Sequence, residues 1–190
     1  MSFSDADYEA AAARLGVPVA AIKAVAEVEA GGATHWNIAG ALRPPVRFEA
    51  HWFGKLTGYR FNVIHPAISC TRWTPGLAAS TWAGAWGQVE AACALDEDAA
   101  RLATSWGAFQ IMGFHWKALG YASVREMVAA MDTAGGQLDA FVRFVEADAV
   151  LVDALRRQDW HGFAGRYNGP GQVDHYAGRI AQAYARLGGE

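Results

Sequence analysis

Apolar residues recur at helical spacing between polar caps and glycine or proline stops along most of this 190-residue chain. That periodicity constrains the fold to helices packed through their apolar stripes. Ser4 is placed to cap a helix carrying Tyr8, Ala12 and Leu15 on one side, and Gly16 stops it. Pro18 suits the first turn of a second helix running to Ala30, ended by Gly31-Gly32. Residues 31–48 and 58–80, rich in Gly, Pro, Thr and aromatics, read as loops or short strands, with a short helix from Glu49 to Leu56 between them. Helices are then expected at about 82–95, 97–104, 106–118 and 123–131, with Asp96 and Ser123 as caps. Four more follow at about 134–148, 149–157, 159–166 and 173–187. With no internal repeat, low-complexity tract or linker, the expectation is one all-α domain over 1–190, with a small β excursion near 33–48.

Composition narrows the function. Hydrophobic residues make up 53% and charged residues 18%, enough apolar material for a packed core. The net charge of -3, with no long Lys/Arg run, argues against a nucleic-acid partner. Six scattered histidines form no HExxH pair, no phosphate-binding glycine loop appears, and no GxSxG elbow supports a serine nucleophile. Neither a metal nor any other cofactor is therefore expected. Cys70 and Cys93, 23 positions apart without a CxxC pattern, are expected as two buried thiols, with a single disulfide as the alternative. The first residues lack a basic and apolar leader, and no apolar run is long enough to span a bilayer. Synthesis in a cytoplasm without membrane insertion is the expectation, so that any extracellular target is reached by lysis or separate export.

Three places carry candidate chemistry. Ile22, Val25, Ala26 and Glu29 share one helix stripe, whereas Glu27 points to the other side. At a helix C-terminus Glu29 faces the negative end of the macrodipole, and burial on an apolar face penalises its charge. Both effects hold a carboxyl protonated; from position alone, a solvated Glu at a frayed end reads equally well. The glycine pair behind it allows close approach of a substrate to the backbone. The second place is Ser105-Trp106-Gly107-Ala108-Phe109-Gln110-Ile111-Met112-Gly113. Gln110 is costly to bury unpaired and offers a donor and an acceptor to an N-acetyl or hydroxyl group; alone, the segment reads as a core helix with one satisfied Gln. The third is Tyr167-Asn168-Gly169-Pro170-Gly171, where a phenol and an amide precede what is otherwise a plain turn.

Taken in order, these segments resemble the lysozyme superfamily, especially goose-type lysozymes and lytic transglycosylases. A nearer resemblance is to the N-acetylmuramidase domain of phage endolysins, across nearly the full chain. It is carried by Val28-Glu29-Ala30-Gly31-Gly32, Arg47-Phe48-Glu49-Ala50-His51-Trp52-Phe53, the 105–113 segment and Tyr167-Asn168-Gly169-Pro170. Two positions depart from the family pattern: Ala30 stands where a Ser usually follows the Glu, and Phe109 replaces an aliphatic Leu. Family members often carry a separate wall-binding module, and none is expected within these 190 residues.

The resemblance implies a lysozyme-like fold and a peptidoglycan glycan strand as partner, acted on by a monomer during phage-driven lysis. It implies that Glu29 protonates the β-1,4 glycosidic oxygen between N-acetylmuramic acid and N-acetylglucosamine. Glu49 is the candidate second carboxylate, either a base or electrostatic support, with pairing to Arg47 or His51 or capping of its helix as the structural alternative. A carboxyl gap of about 6.5–9.5 Å would favour inversion and one of about 5 Å retention. His51, Ser105, Gln110, Met112, Tyr167 and Asn168 are the candidate substrate-binding residues. Trp36, Trp52, Trp73 and Trp106 lie near these segments and are candidates for a sugar groove, while Trp82, Trp86, Trp116 and Trp160 fit helix-core patterns. For any single Trp, core packing is the better reading. The alternatives are a lytic transglycosylase leaving 1,6-anhydro ends and a non-catalytic glycan-binding protein.

Overall fold

Local capping chemistry sets most of the helix boundaries in the computed structural model, which describes residues 2–31 and 33–189. Helix α1 (Asp5–Leu15) opens with a reciprocal Ser4/Asp7 capping box and closes on Gly16 in the left-handed region. Pro18 is the cap of α2 (Val19–Ala30) and fixes its entry, and Gly31 ends it at φ +59°. Gly32, the other half of the expected glycine pair, lies outside the described residues.

The chain next forms a hairpin of β1 (Trp36–Ile38) and β2 (Ala41–Arg43), then β3 (Val46–Phe48) and α3 (Ala50–Leu56). Turns occupy the stretch up to α4 (Trp82–Cys93), which is followed by α5 (Glu97–Leu102). Asp96 caps α5 and Ser123 caps α6 (Val124–Ala130) through side-chain oxygens, as expected. The helix expected over 106–118 does not form. Instead β4 (Thr104–Trp106) and β5 (Ile111–Met112) pair antiparallel, and a single 3-10 turn covers Gly113–His115. Strand β4 also pairs with β3 in the register Arg47↔Ser105 and Phe48↔Thr104, giving the order β3-β4-β5. Helices α7 (Ala134–Glu146), α8 (Ala149–Arg156), α9 (Trp160–Tyr167) and α10 (Val173–Arg186) complete the chain. The fold is thus mostly helical with small antiparallel sheets, consistent with the lysozyme-like class.

Two compact units divide these elements, one of residues up to Thr34 and from Thr133 onward, the other of His35–Asp132. In the first, α2 packs on α10, α10 on α9, and α1 on both α2 and α7. Its core holds Leu15, Ile22, Val25, Phe141, Val145 and Phe163, all within 1% of complete burial, each contributing on the order of 2 kcal/mol of transfer free energy. In the second, α4 packs against β3 and α5, and Phe48, Phe53 and Met127 are fully buried. Both cysteines are free thiols and half-buried, not deeply buried as expected; Cys93 is the last residue of α4, and Cys70 lies in the turn segment before it.

Candidate active site

In the first unit, the last turn of α2 brings Glu29 to the end of α9. Glu29 is half-buried, whereas Glu27 is exposed and pairs with Arg186 across 2.5 Å. Asn168, the residue that ends α9, donates from Nδ2 to Glu29 Oε2 at 2.9 Å. Glu29 Oε1 and Asn168 Oδ1 are buried with no hydrogen-bond partner among the described residues. The pair is therefore rich in acceptors and poor in donors, and a proton on Glu29 would supply the missing donor. Burial pushes the Glu29 carboxyl above the usual carboxylate range; the Asn168 hydrogen bond and the Arg179 charge on α10 only partly oppose it. The unneutralised C-terminus of α2, with no basic residue in its last turn, acts in the same upward direction.

Tyr167 stands beside this carboxyl. Burial drives its phenol strongly upward, and the nearby Glu29 charge adds to the effect, so the hydroxyl stays protonated throughout the working range. Its ring is stacked on Phe163 at 5.4 Å and meets Phe141 and Phe144 edge-on. The phenol is thus held by aromatic packing, not placed on a mobile turn.

In the second unit, the sheet presents the other carboxylate. The β3–β4 ladder continues one step past Phe48, where the Glu49 backbone N–H donates to Ala103 O at 3.0 Å. Glu49 then becomes the cap residue of α3 by its backbone, but its side chain makes no capping hydrogen bond. Its carboxylate turns instead to Arg47 Nε at 3.2 Å and His51 Nδ1 at 3.5 Å, with the side chain only 18% exposed. Strand alternation puts Arg47 and Glu49 on one side, and the start of α3 adds His51 two residues on.

The 105–112 candidates surround the turn between β4 and β5. Gln110 adopts φ +52°, uncommon for a residue with a Cβ, and its amide compensates. Nε2 donates to Gly107 O at 2.9 Å, and Oε1 accepts from Ser105 Oγ at 3.0 Å. Ser105 is buried between Arg47 and Met112 in the sheet register, and Met112 is half-buried. Gln110 therefore staples its own turn while also lining a cleft of about 860 Å³ shared with Arg47, Glu49 and His51.

Of the tryptophans expected in a groove, Trp73 lines this cleft, whereas Trp106 is core at 2% exposure, held by its indole N–H on Arg101 O at 3.0 Å. Trp82, expected in a helix core, is 38% exposed and lines the cleft, because it begins α4 where the helix has no preceding turn to bury it. Sequence reasoning gave no role to Arg179 near Glu29, nor to Gln88. The helical register of α10 on α2 was the signal for the first; the second had none.

Among the described residues no group of three or more His, Cys, Asp or Glu side chains is placed to hold a metal ion. No helix among them is long and apolar enough to cross a membrane. The profile of the N-acetylmuramidase family matches residues 18–188. Among solved structures, the chain is similar to a Burkholderia AP3 phage endolysin at 39% sequence identity and a TM-score of 0.89, over 98% of this chain and 72% of that one. No curated protein sequence matches. With a family match over residues 18–188, this chain belongs to the N-acetylmuramidase family.

Proposed function

We propose that Glu29 is the proton donor with which this N-acetylmuramidase cleaves the β-1,4 bond between N-acetylmuramic acid and N-acetylglucosamine in peptidoglycan. One observation carries the reading: a half-buried carboxyl whose proton is favoured by desolvation and whose Oε1 has no protein partner among the described residues. Such a group delivers a proton to the leaving oxygen without first losing it to water. Asn168 orients the acid through Oε2. Tyr167, a neutral phenol at working pH, keeps the surroundings apolar and offers a hydrogen bond to the sugar.

Glu49 is the second carboxylate, oriented by Arg47 and His51, serving as base for the attacking water or as support for the oxocarbenium-like transition state. Ser105, Gln110 and Met112 shape the wall beside it, with Gln110 fixing the turn that bounds the cleft. The enzyme acts as a monomer and as one catalytic domain over 1–190. It is made in the cytoplasm and reaches the wall during phage-driven lysis, in keeping with its similarity to a phage endolysin.

Digestion of purified peptidoglycan, read by mass spectrometry, tests this assignment. Wild type is expected to release fragments with reducing muramic acid ends. Glu29→Gln should slow release by roughly 10²–10⁴-fold, and Glu49→Gln should slow it as well. Equal release by wild type and Glu29→Gln removes Glu29 from the chemistry, and 1,6-anhydro ends replace hydrolysis with transglycosylation.

A further inference from the structure

In the unit that carries Glu29, the cations are matched with one exception. Arg14, Lys23, Arg143, Arg157, Arg166 and Arg186 each lie within 3.0 Å of a carboxylate oxygen. Arg156 donates to Leu15 O at 2.8 Å. Arg179 is exposed, and its guanidinium makes no ion pair or hydrogen bond among the described residues.

The place of this unmatched cation is specific. Arg179 and Arg186 are two turns apart and so share one face of α10, which packs on both α2 and α9. Arg186 reaches Glu27, and two turns earlier Arg179 stands near enough to the end of α2 for its charge to bear on the Glu29 carboxyl. Asn168 meets the same carboxyl from the end of α9. A permanent cation there favours the ionised form of Glu29, against the proton that a donor must keep. An anion arriving with the substrate and neutralising the guanidinium removes that conflict. The purely structural role is to complement the C-terminus of α2, whose last turn has no basic residue. That role acts on stability and treats every substrate alike.

Peptidoglycan carries such an anion close to the bond in question. The scissile bond leaves C1 of a muramic acid, and the lactyl branch leaves C3 of the same ring. That branch ends in its own carboxylate when bare, or bears those of the peptide stem attached to it in the wall. A planar guanidinium takes a carboxylate through two parallel N–H donors. We propose that Arg179 is a specificity-determining residue that holds a carboxylate carried by the lactyl branch of the muramic acid beside Glu29. This rests on Glu29 being the proton donor. The contact selects muramic acid over plain N-acetylglucosamine by charge, and it shields Glu29 from the opposing cation once substrate is bound.

Calorimetry on the full chain carrying Glu29→Gln reads binding without turnover. The probes are a hexasaccharide of alternating N-acetylglucosamine and N-acetylmuramic acid with free lactyl carboxylates, its lactyl methyl ester, and the same glycan bearing peptide stems. Adding Arg179→Gln should weaken at least one carboxylate-bearing probe about tenfold and leave the methyl ester unaffected. A loss on the bare form names the lactyl carboxylate, and a loss on the peptide-bearing form names a stem carboxylate. Arg179→Lys should recover part of the affinity, because the charge stays while the fork is lost. Added salt should shrink the difference between Arg179 and Gln. An equal loss on the methyl ester, or no loss on either carboxylate-bearing probe, overturns the proposal. The former, together with a lower urea midpoint, would leave Arg179 as the complement of the α2 C-terminus. None of these binding results depends on Glu29 being the acid, which the digestion experiment decides.

Discussion

At the scale of single residues, the difference between Glu27 and Glu29 is the most instructive. Two positions on one helix separate an exposed carboxylate paired with Arg186 from a half-buried one that desolvation pushes above the usual carboxylate range. The stripe formed by Ile22, Val25 and Ala26 made that contrast legible, because helical geometry alone decides which Glu faces the core. The partners of Glu29 were not legible as contacts, since Asn168 lies 139 positions away and only the resemblance brought the two segments together. Asn168 stabilises the ionised form of Glu29, so Asn168→Ala removes a downward influence and the Glu29 carboxyl moves further up. The alkaline limb of the pH–kcat/KM profile should move to higher pH, with a loss of about 2–10-fold at the optimum from one missing hydrogen bond. An alkaline limb that stays in place or moves down would separate Asn168 from the acid.

At the scale of elements, capping fixed what could be read and long-range pairing hid the rest. Ser4, Asp96 and Ser123 each announce a helix start within three residues of the bond that makes it. The 106–118 stretch misleads because its apolar residues are nearly contiguous, so neither a period of 3.6 nor of 2 stands out. What makes it a hairpin is β3, paired at Arg47↔Ser105 across 58 positions, together with Gln110 closing the turn from within. Turns that approach another backbone closely are similarly invisible until the partner is known. Gly54 in α3 is one: a Cβ there would sit 2.3 Å from Cys70 O, a backbone atom that cannot swing away. Gly54→Ala should therefore destabilise the protein by about 1–3 kcal/mol, seen as a lower urea midpoint at an unchanged slope. It should also loosen the cleft wall that Cys70 lines. An unchanged midpoint would mean that α3 and the 69–70 segment are not held as tightly as their spacing indicates.

At the scale of the whole molecule, the protonation of one carboxyl links catalysis to stability. The folded state holds the Glu29 proton more firmly than the unfolded chain does. Its contribution to stability is therefore fully present below the ordinary carboxyl range and is lost as pH rises through the raised folded value. Glu29→Gln cannot ionise, so it should be more stable than wild type at neutral pH, with the difference shrinking toward pH 4 in chemical denaturation. A wild type that is the more stable at neutral pH would contradict the linkage. The family relationship and the mostly helical fold with its small sheets hold irrespective of that result, but the mechanism does not. The most direct measurement is a pH titration of the Glu29 side-chain carboxyl followed by carbon-13 NMR in the full-length protein. Titration above the range of an ordinary Glu, and moving higher still in Asn168→Ala, is the predicted result. Titration at or below that range would show a carboxylate already ionised at the working pH, and Glu29 could not then be the acid.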